Sequence, residues 1–321
     1  MILIGSSANW HLNNLVSEKL GIPLAKCVLG KFSNGETRVV IEVSIRGQDV
    51  YVISSGAAPI NDNLMETLMI CKACQSSNAK SITLVMANYP YARQDRKTRA
   101  RECITASFVA QLIEDSGVTR LVTFDLHSGQ IQGMFRIPVD NLYTDNKFAT
   151  YLKATYPSIN KDTHIVVAPD AGATKRCRNL AMSLNLKMAL IEKSRNYTNN
   201  NNSVERMMLI DPDHSVKNKI VIIYDDIADT LGTLHKACQL LQENQAKEII
   251  AVVTHGVLSG QALEILSNCD ILTQLICTNT IPIPKSNKIA VCDISDLICA
   301  CINCLDKGLS MSSLLTSCKF E

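Results

Sequence analysis

The stretch Ile220-Val-Ile-Ile-Tyr-Asp-Asp-Ile-Ala-Asp-Thr-Leu-Gly-Thr233, IVIIYDDIADTLGT, joins five apolar residues to two adjacent carboxylates, then a third acid to a Thr-Leu-Gly-Thr turn. An unbroken apolar run of this length fits a strand buried on both faces, as in a parallel sheet. Leu234-His-Lys-Ala-Cys-Gln-Leu-Leu241 has the spacing of an amphipathic helix, so Asp229–Thr233 reads as the turn between strand and helix. Backbone N–H groups at such a helix N-terminus, with the hydroxyls of Thr230 and Thr233, suit a terminal phosphate. The carboxylates of Asp225 and Asp226 would repel that phosphate and must face something else, either vicinal hydroxyls or a divalent cation. A phosphorylated sugar meets both demands, with phosphate at one end and a diol at the other.

Apolar runs alternate with amphipathic stretches along all 321 residues, the pattern of α/β layers, and about 150 residues per domain gives two domains. Strands are predicted at Ile2–Ile4, Thr37–Val43, Asp49–Ser54, Ile82–Ala87 and Leu121–Phe124. After residues 140–147 the cycle begins again, with strands at Ile165–Ala168, Lys187–Ile191, Ile220–Tyr224, Ile249–Val253 and Gln274–Cys277. The halves read as two copies of one architecture. Sheets of this class bind ligands outside the carboxyl ends of their strands. Asp125, His127, Asp170, Asp225 and Asp226 all follow predicted strands. One such acid is ordinarily a helix cap or turn former; several together are harder to explain that way.

Composition narrows the alternatives. The net charge of +2, with scattered Lys and Arg, lacks the concentrated basic footprint of a nucleic-acid surface. No apolar run reaches the roughly 18 residues of a membrane span, and MILIGSSANW is not a secretory signal. Thirteen cysteines, an odd number in a chain of this size, point to free thiols and a cytoplasmic setting. Cys71-Lys-Ala-Cys74 and the Cys299, Cys301, Cys304 cluster lie in helical periodicity without a second ligand pair, and read as buried apolar residues rather than zinc ligands. Asn196-Tyr-Thr-Asn-Asn-Asn-Asn-Ser203 is polar and aperiodic, and is expected to be a mobile loop directly after Lys193-Ser-Arg195. No G-x-x-x-x-G-K-[ST] occurs, which disfavours a P-loop kinase.

YDDIADTLGT resembles the phosphoribosyl-diphosphate loop shared by phosphoribosyltransferases and ribose-phosphate diphosphokinases. Phe32-Ser-Asn-Gly-Glu36, Asn61-Asp-Asn-Leu-Met-Glu66, Tyr91-Ala-Arg-Gln-Asp-Arg96, Asp125-Leu-His127 with Gln130-Ile-Gln-Gly133, and Thr254-His-Gly-Val-Leu-Ser-Gly260 resemble the second family, in its order and over nearly the whole chain. The resemblance implies an α/β fold of two tandem phosphoribosyltransferase-type domains, each a mostly parallel sheet flanked by helices. They would span 1–144, with ATP-site and subunit-interface elements, and 145–321, with the ribose-phosphate loop and the catalytic flexible loop. Whether the last helix packs back on the first domain stays open. The implied reaction moves the β,γ-diphosphoryl group of ATP to the C1 hydroxyl of ribose 5-phosphate, with Mg²⁺ as cofactor.

Carried over by position, the resemblance makes Lys193 and Arg195 catalytic and places ATP on Arg93 and Gln94. Phe32, Asn34 and Glu36 would complete the ATP site of a neighbouring subunit, in a homo-oligomer built as a hexamer from dimers with shared sites. Asp225, Asp226, Asp229, Thr230, Leu231, Gly232 and Thr233 would bind ribose 5-phosphate, and His127 and Asp170 would hold Mg²⁺. Fixed cations suit a transferring phosphoryl group, whose charge spreads over its oxygens. Three departures stand out. Ala173 replaces a common glycine, and would cost on the order of 1 kcal/mol if its φ were positive. Cys103 replaces a usual proline, and Arg136 a frequent acid in a region of regulatory contacts. A phosphoribosyltransferase and a non-catalytic regulatory subunit are the alternatives. The first typically has one such domain and no need of FSNGE or ARQD; the second should have lost the basic pair or the diacid.

Overall fold

In the computed structural model, which describes residues 1–195, 204–213 and 215–315, alternate side chains of each central strand enter two different cores. Leu3, Tyr51 and Ile53 go to one face of the first sheet, and Ile4, Val50 and Val52 to the other. Strands apolar on both faces need cover on both, which parallel sheets obtain from crossover helices. By chain contacts the described residues form two units. Unit 1 is Met1–Tyr143 with Asn279–Pro282 and the segment from Asp293 onward; unit 2 is Thr144–Thr278 with Ile283–Cys292.

Unit 1 begins β1 (Ile2–Gly5), α1 (Trp10–Leu20), then an antiparallel hairpin of β2 (Cys27–Lys31) and β3 (Thr37–Ile41). It continues β4 (Asp49–Ser54), α2 (Ile60–Ser76), β5 (Ser81–Met86), α3 (Thr105–Asp115), β6 (Arg120–Phe124) and β7 (Val139–Leu142). The sheet order is β1-β4-β5-β6-β7, parallel throughout, with the hairpin as a separate two-stranded sheet.

Unit 2 opens with α4 (Asp145–Thr155) and follows the same order: β8 (His164–Ala168), α5 (Thr174–Leu184), then the antiparallel pair β9 (Met188–Arg195) and β10 (Val204–Ile210). It continues β11 (Ile220–Ala228), α6 (Gly232–Glu243), β12 (Glu248–Gly256), α7 (Ala262–Ser267), β13 (Leu272–Thr278) and β14 (Ile289–Cys292). Here the pair joins the sheet, giving β10-β9-β8-β11-β12-β13-β14. The helix after each sheet's final strand packs in the other unit. Phe148, Ala149 and Leu152 of α4 enter the unit 2 core, whereas α8 (Ser295–Asp306) returns Ile298, Cys301 and Ile302 to the unit 1 core beside Leu12 and Val16 of α1.

Four strands lie outside the sequence expectation: β2, β7, β10 and β14. β3 stops at Ile41 rather than Val43. β11 runs past Tyr224 to Ala228, because Asp225 stays in register with Val253 and Ile227 with His255 of β12. Asp225 and Asp226 therefore lie within the last turns of pleat of the strand, not after it. The Asn196–Ser203 stretch, expected as a mobile loop, lies outside the described residues.

Candidate active site

In unit 2, the carboxyl ends of β8 and β11 carry three acids. Asp170 follows β8 and caps the short turn before α5, its Oδ1 accepting from the Ala173 N–H at 3.1 Å. Ala173 itself is buried at φ −81°, so the feared positive φ does not arise and alanine fits without strain. The Asp170 Oδ2 accepts from Lys193 Nζ at 2.8 Å, and that lysine side chain is only 7% exposed. Lys193 is set on β9 in register with Met207, so it belongs to a preformed arrangement rather than to a free loop. Arg195 ends β9, paired with Val204; its side chain lies outside the described residues.

Burial raises the Asp170 pKa, but the Lys193 hydrogen bond and charge and the Ala173 N–H outweigh it, leaving the carboxyl below its ordinary value. Asp225 goes the other way. Burial and then the carboxylates of Asp226 and Asp170 push it up. Asp225 Oδ1 accepts from the Asp226 N–H at 2.9 Å, which holds the two neighbours at fixed orientation. Arg176, unnoticed as a site residue from sequence, places Nη2 3.9 Å from Asp226 Oδ1 and its guanidinium 5.9 Å over the Tyr224 ring. An isolated Arg on a helix usually reads as a solvated charge. Its position six residues after Asp170, on the first turn of α5, was the available clue.

The turn after β11 is rigid by construction. Leu231 adopts the left-handed region, φ 61°, which is costly for a side chain of this size. Its burial in the unit 2 core and the His235 N–H bond to its carbonyl, 2.8 Å, hold it there. Asp229 accepts from the Ser259 hydroxyl, and Leu258 N–H donates to Ala228 O at 3.0 Å, so the loop after β12 braces this one. Thr230, Gly232 and Thr233 are left exposed around the first turn of α6, where helix geometry leaves N–H donors for an anion.

In unit 1, Phe32, Asn34 and Glu36 form the exposed tip of the β2–β3 hairpin. Asn34 Oδ1 accepts from Glu36 N–H at 3.1 Å, Gly35 turns at φ 91°, and Arg38 stacks 5.8 Å from the Phe32 ring. Arg93 and Gln94 are exposed after β5, and Gln94 Oε1 accepts from the Thr105 hydroxyl at 2.5 Å. Two residues before Arg93, Tyr91 donates to Asn61 and helps line a cavity of 470 Å³ with Pro59, Ile60 and Asp62. Asp125, at φ 40°, is buried, and His127 is exposed after β6. His127 is in unit 1 and Asp170 in unit 2; no group of three metal-binding side chains occurs among the described residues. Cys103 is exposed, and the Arg136 N–H donates to Glu114.

A model of the N-terminal domain of ribose phosphate pyrophosphokinase matches residues 1–117, and one of a phosphoribosyl synthetase-associated domain matches 208–316. Ribose-phosphate pyrophosphokinase 4 of Saccharomyces cerevisiae is 44% identical over 317 residues, covering 98% of this chain and 94% of its own. The chain belongs to the ribose-phosphate pyrophosphokinase family. Ribose-phosphate pyrophosphokinase A of Dictyostelium discoideum is 41% identical, with 99% and 98% covered. The crystal structure of phosphoribosylpyrophosphate synthetase from Mycobacterium smegmatis superposes with a TM-score of 0.87 at 35% identity, covering 96% of this chain and 99% of that one. Membership over the full length accounts for both tandem domains of the phosphoribosyltransferase type.

Proposed function

We propose that this pyrophosphokinase transfers the β,γ-diphosphoryl group of ATP to the C1 hydroxyl of ribose 5-phosphate. The products are 5-phosphoribosyl 1-diphosphate and AMP, for nucleotide biosynthesis. One observation carries the reading: an acid pair, a turn with exposed residues at a helix N-terminus and a held lysine lie at the strand ends of one sheet. A regulatory subunit that had lost catalysis would not need Lys193 in this place, and a phosphoribosyltransferase would not match pyrophosphokinases from end to end.

Asp229–Thr233 hold the 5-phosphate through N–H and hydroxyl donors, while Asp225 and Asp226 accept from the ribose hydroxyls. Lys193 and Arg195 offset charge that grows on the transferring group, and Lys193 is positioned for this before substrate arrives. Arg93 and Gln94 bind ATP, and the hairpin tip of Phe32, Asn34 and Glu36 serves the ATP site of a second copy in a homo-oligomer, a hexamer built from dimers. Their exposure at the tip of a separate two-stranded hairpin supports that role.

Mg²⁺ fits the donor set. Asp170 is ionised, 36% exposed and offers hard oxygen, and Mg²⁺ commonly takes one or two carboxylates with waters and substrate phosphates rather than a full protein cage. Asp170 would hold it, and it would neutralise phosphate charge. No described helix is long and apolar enough to cross a membrane, and a cytoplasmic place of work suits the free thiols. Incubation of the purified protein with Mg-ATP and ribose 5-phosphate should yield AMP. ADP instead would mark an ordinary kinase and sink the reading.

A further inference from the structure

Residues 254–260 carry the chain from the end of β12 into the loop that leads to α7. The backbone there is fixed at successive points. Gly256 ends β12 in close quarters: a Cβ would lie 2.7 Å from the Cys277 sulfur and 2.9 Å from Ile283 Cδ1, so a larger residue would force a shift. Leu258 adopts the left-handed region, φ 51°, with its side chain in the core cluster that also holds Leu231. Its N–H donates at 3.0 Å to the carbonyl of Ala228, the last residue of β11. The Ser259 carbonyl accepts from Ala262 N–H at 3.2 Å, which leads the chain into α7. The Ser259 side chain is exposed, so core packing does not account for it; its hydroxyl donates to Asp229 Oδ1.

Asp229 stands just before the turn into α6, and there its charge is awkward. A carboxylate repels a phosphate, and Asp is also among the preferred acceptors for the unpaired N–H groups of a helix's first turn. Those are the donors that a bound phosphate needs. Leu231 holds the cap position of α6 and has no polar side chain to give them. An Asp229 carboxylate turned toward α6 would therefore compete with the ligand for the same donors. The Ser259 hydroxyl engages that carboxylate from the neighbouring loop instead. Since Leu258 and Gly256 pin the loop, the serine stays in place and the acid is held to it.

We propose that Ser259 is a positioning residue for ribose 5-phosphate, keeping the Asp229 carboxylate on the β12 loop and the N-terminus of α6 open to the 5-phosphate. Ser259 acts through Asp229 and not by touching the substrate. The inference rests on the function proposed above and names what keeps its phosphate turn available.

Titration calorimetry on the full chain, with ribose 5-phosphate and separately with Mg-ATP, tests the role without needing turnover. Ser259→Ala should weaken ribose 5-phosphate binding by about tenfold, the lower end of what a hydrogen bond to a charged group contributes. ATP affinity and Tm should be unchanged. Ser259→Thr keeps a hydroxyl and should restore binding to within about twofold. In an Asp229→Ala background, Ser259→Ala should change affinity by less than about twofold, because the serine then has no acid to hold. Steady-state kinetics should show the same split, with KM for ribose 5-phosphate raised and kcat retained. Wild-type affinity in Ser259→Ala overturns the inference. So does an equal loss for ATP, or a tenfold loss that persists without the Asp229 carboxylate. A wild-type chain that binds no ribose 5-phosphate would remove the proposed function as well; a chain that binds it equally well without the serine removes the positioning role alone.

Discussion

Two loops occupy the same place on two sheets that share a five-strand order, β1-β4-β5-β6-β7 and β8-β11-β12-β13-β14. Ser6 in unit 1 and Asp170 in unit 2 each cap the short turn after the first strand, and β4 and β11 each follow an antiparallel pair. In unit 1 the polar groups there satisfy one another. Ser6 donates to Ser54 at 3.0 Å, Ser54 and Thr67 are 2.6 Å apart, Ser55 donates to Thr280 O at 2.6 Å, and Glu66 accepts from the Ser7 N–H at 2.7 Å. Ser6, Ser54, Ser55 and Thr67 are at most 1% exposed. In unit 2 the equivalent ground holds carboxylates that repel one another, a raised Asp225 and an exposed Thr-Leu-Gly-Thr turn. A hydroxyl network closed on itself stabilises a fold, and a set of acids with more acceptors than internal donors calls for a ligand. The architecture is shared, and the side-chain chemistry at these strand ends differs between the two copies.

The sharpest way to break this comparison is at Lys193. Lys193→Ala should lower kcat by a factor on the order of 10³, judged from other transition-state clamps, with KM values for both substrates moving much less. Steady-state kinetics showing unchanged kcat and a raised ATP constant would make Lys193 a binding contact. Next in size, Asp225→Asn with Asp226→Asn should weaken ribose 5-phosphate binding by about 3 kcal/mol, roughly 10²-fold, and ATP binding far less. Titration calorimetry with each substrate separates the two; equal losses would remove the division of labour between the acids and the rest of the site.

Unit 1 should respond in stability instead. Asp293 accepts from Lys19 at 2.8 Å, from Ser295 and from Asn279, and these bonds outweigh burial and hold its carboxyl far below the ordinary range. Because the folded value is depressed, the stabilisation is present above about pH 4 and is lost as pH falls through the folded value. Asp293→Asn should therefore cost about 1–2 kcal/mol at pH 7, allowing for partial exposure, with a gap in urea midpoint that narrows below about pH 4. A gap independent of pH would contradict the assignment. The smallest effect is expected at Ser55→Ala. It should cost about 1 kcal/mol in stability with kcat unchanged, since that hydroxyl only closes a network. A large loss of kcat there would mean the unit 1 loop is not merely structural.

Much of the candidate site could be nominated from sequence because its residues break local rules. Carboxylates inside an apolar run and a Thr-Leu-Gly-Thr turn before a helix have few innocent explanations, so Asp225 through Thr233 stand out. Arg176 breaks no rule in sequence, and only the fold brings it over Tyr224 and near Asp226. The fold was legible where strands are continuous and apolar. It was not at β7 and β14, four-residue strands at sheet edges with half or more of their side chains partly exposed, nor at β2, whose residues alternate half-buried and exposed on a separate two-stranded hairpin. The left-handed Leu231 was invisible for a different reason: its strain is tolerated through core contacts made far along the chain.

The return of α8 to unit 1 has a bearing on the order of synthesis. Leu3, Leu12 and Val16 are made about 280 residues or more before their core partners Ile298, Cys301 and Ile302. At ribosomal rates of about 5–20 residues per second, the N-terminal half waits on the order of ten seconds with one face of its sheet covered by α1 but not yet by α8. Nascent chains of this protein therefore carry an apolar surface suited to a chaperone until α8 leaves the exit tunnel. A truncation before Ser295 would remove the lid of the first domain rather than an appendage of the second.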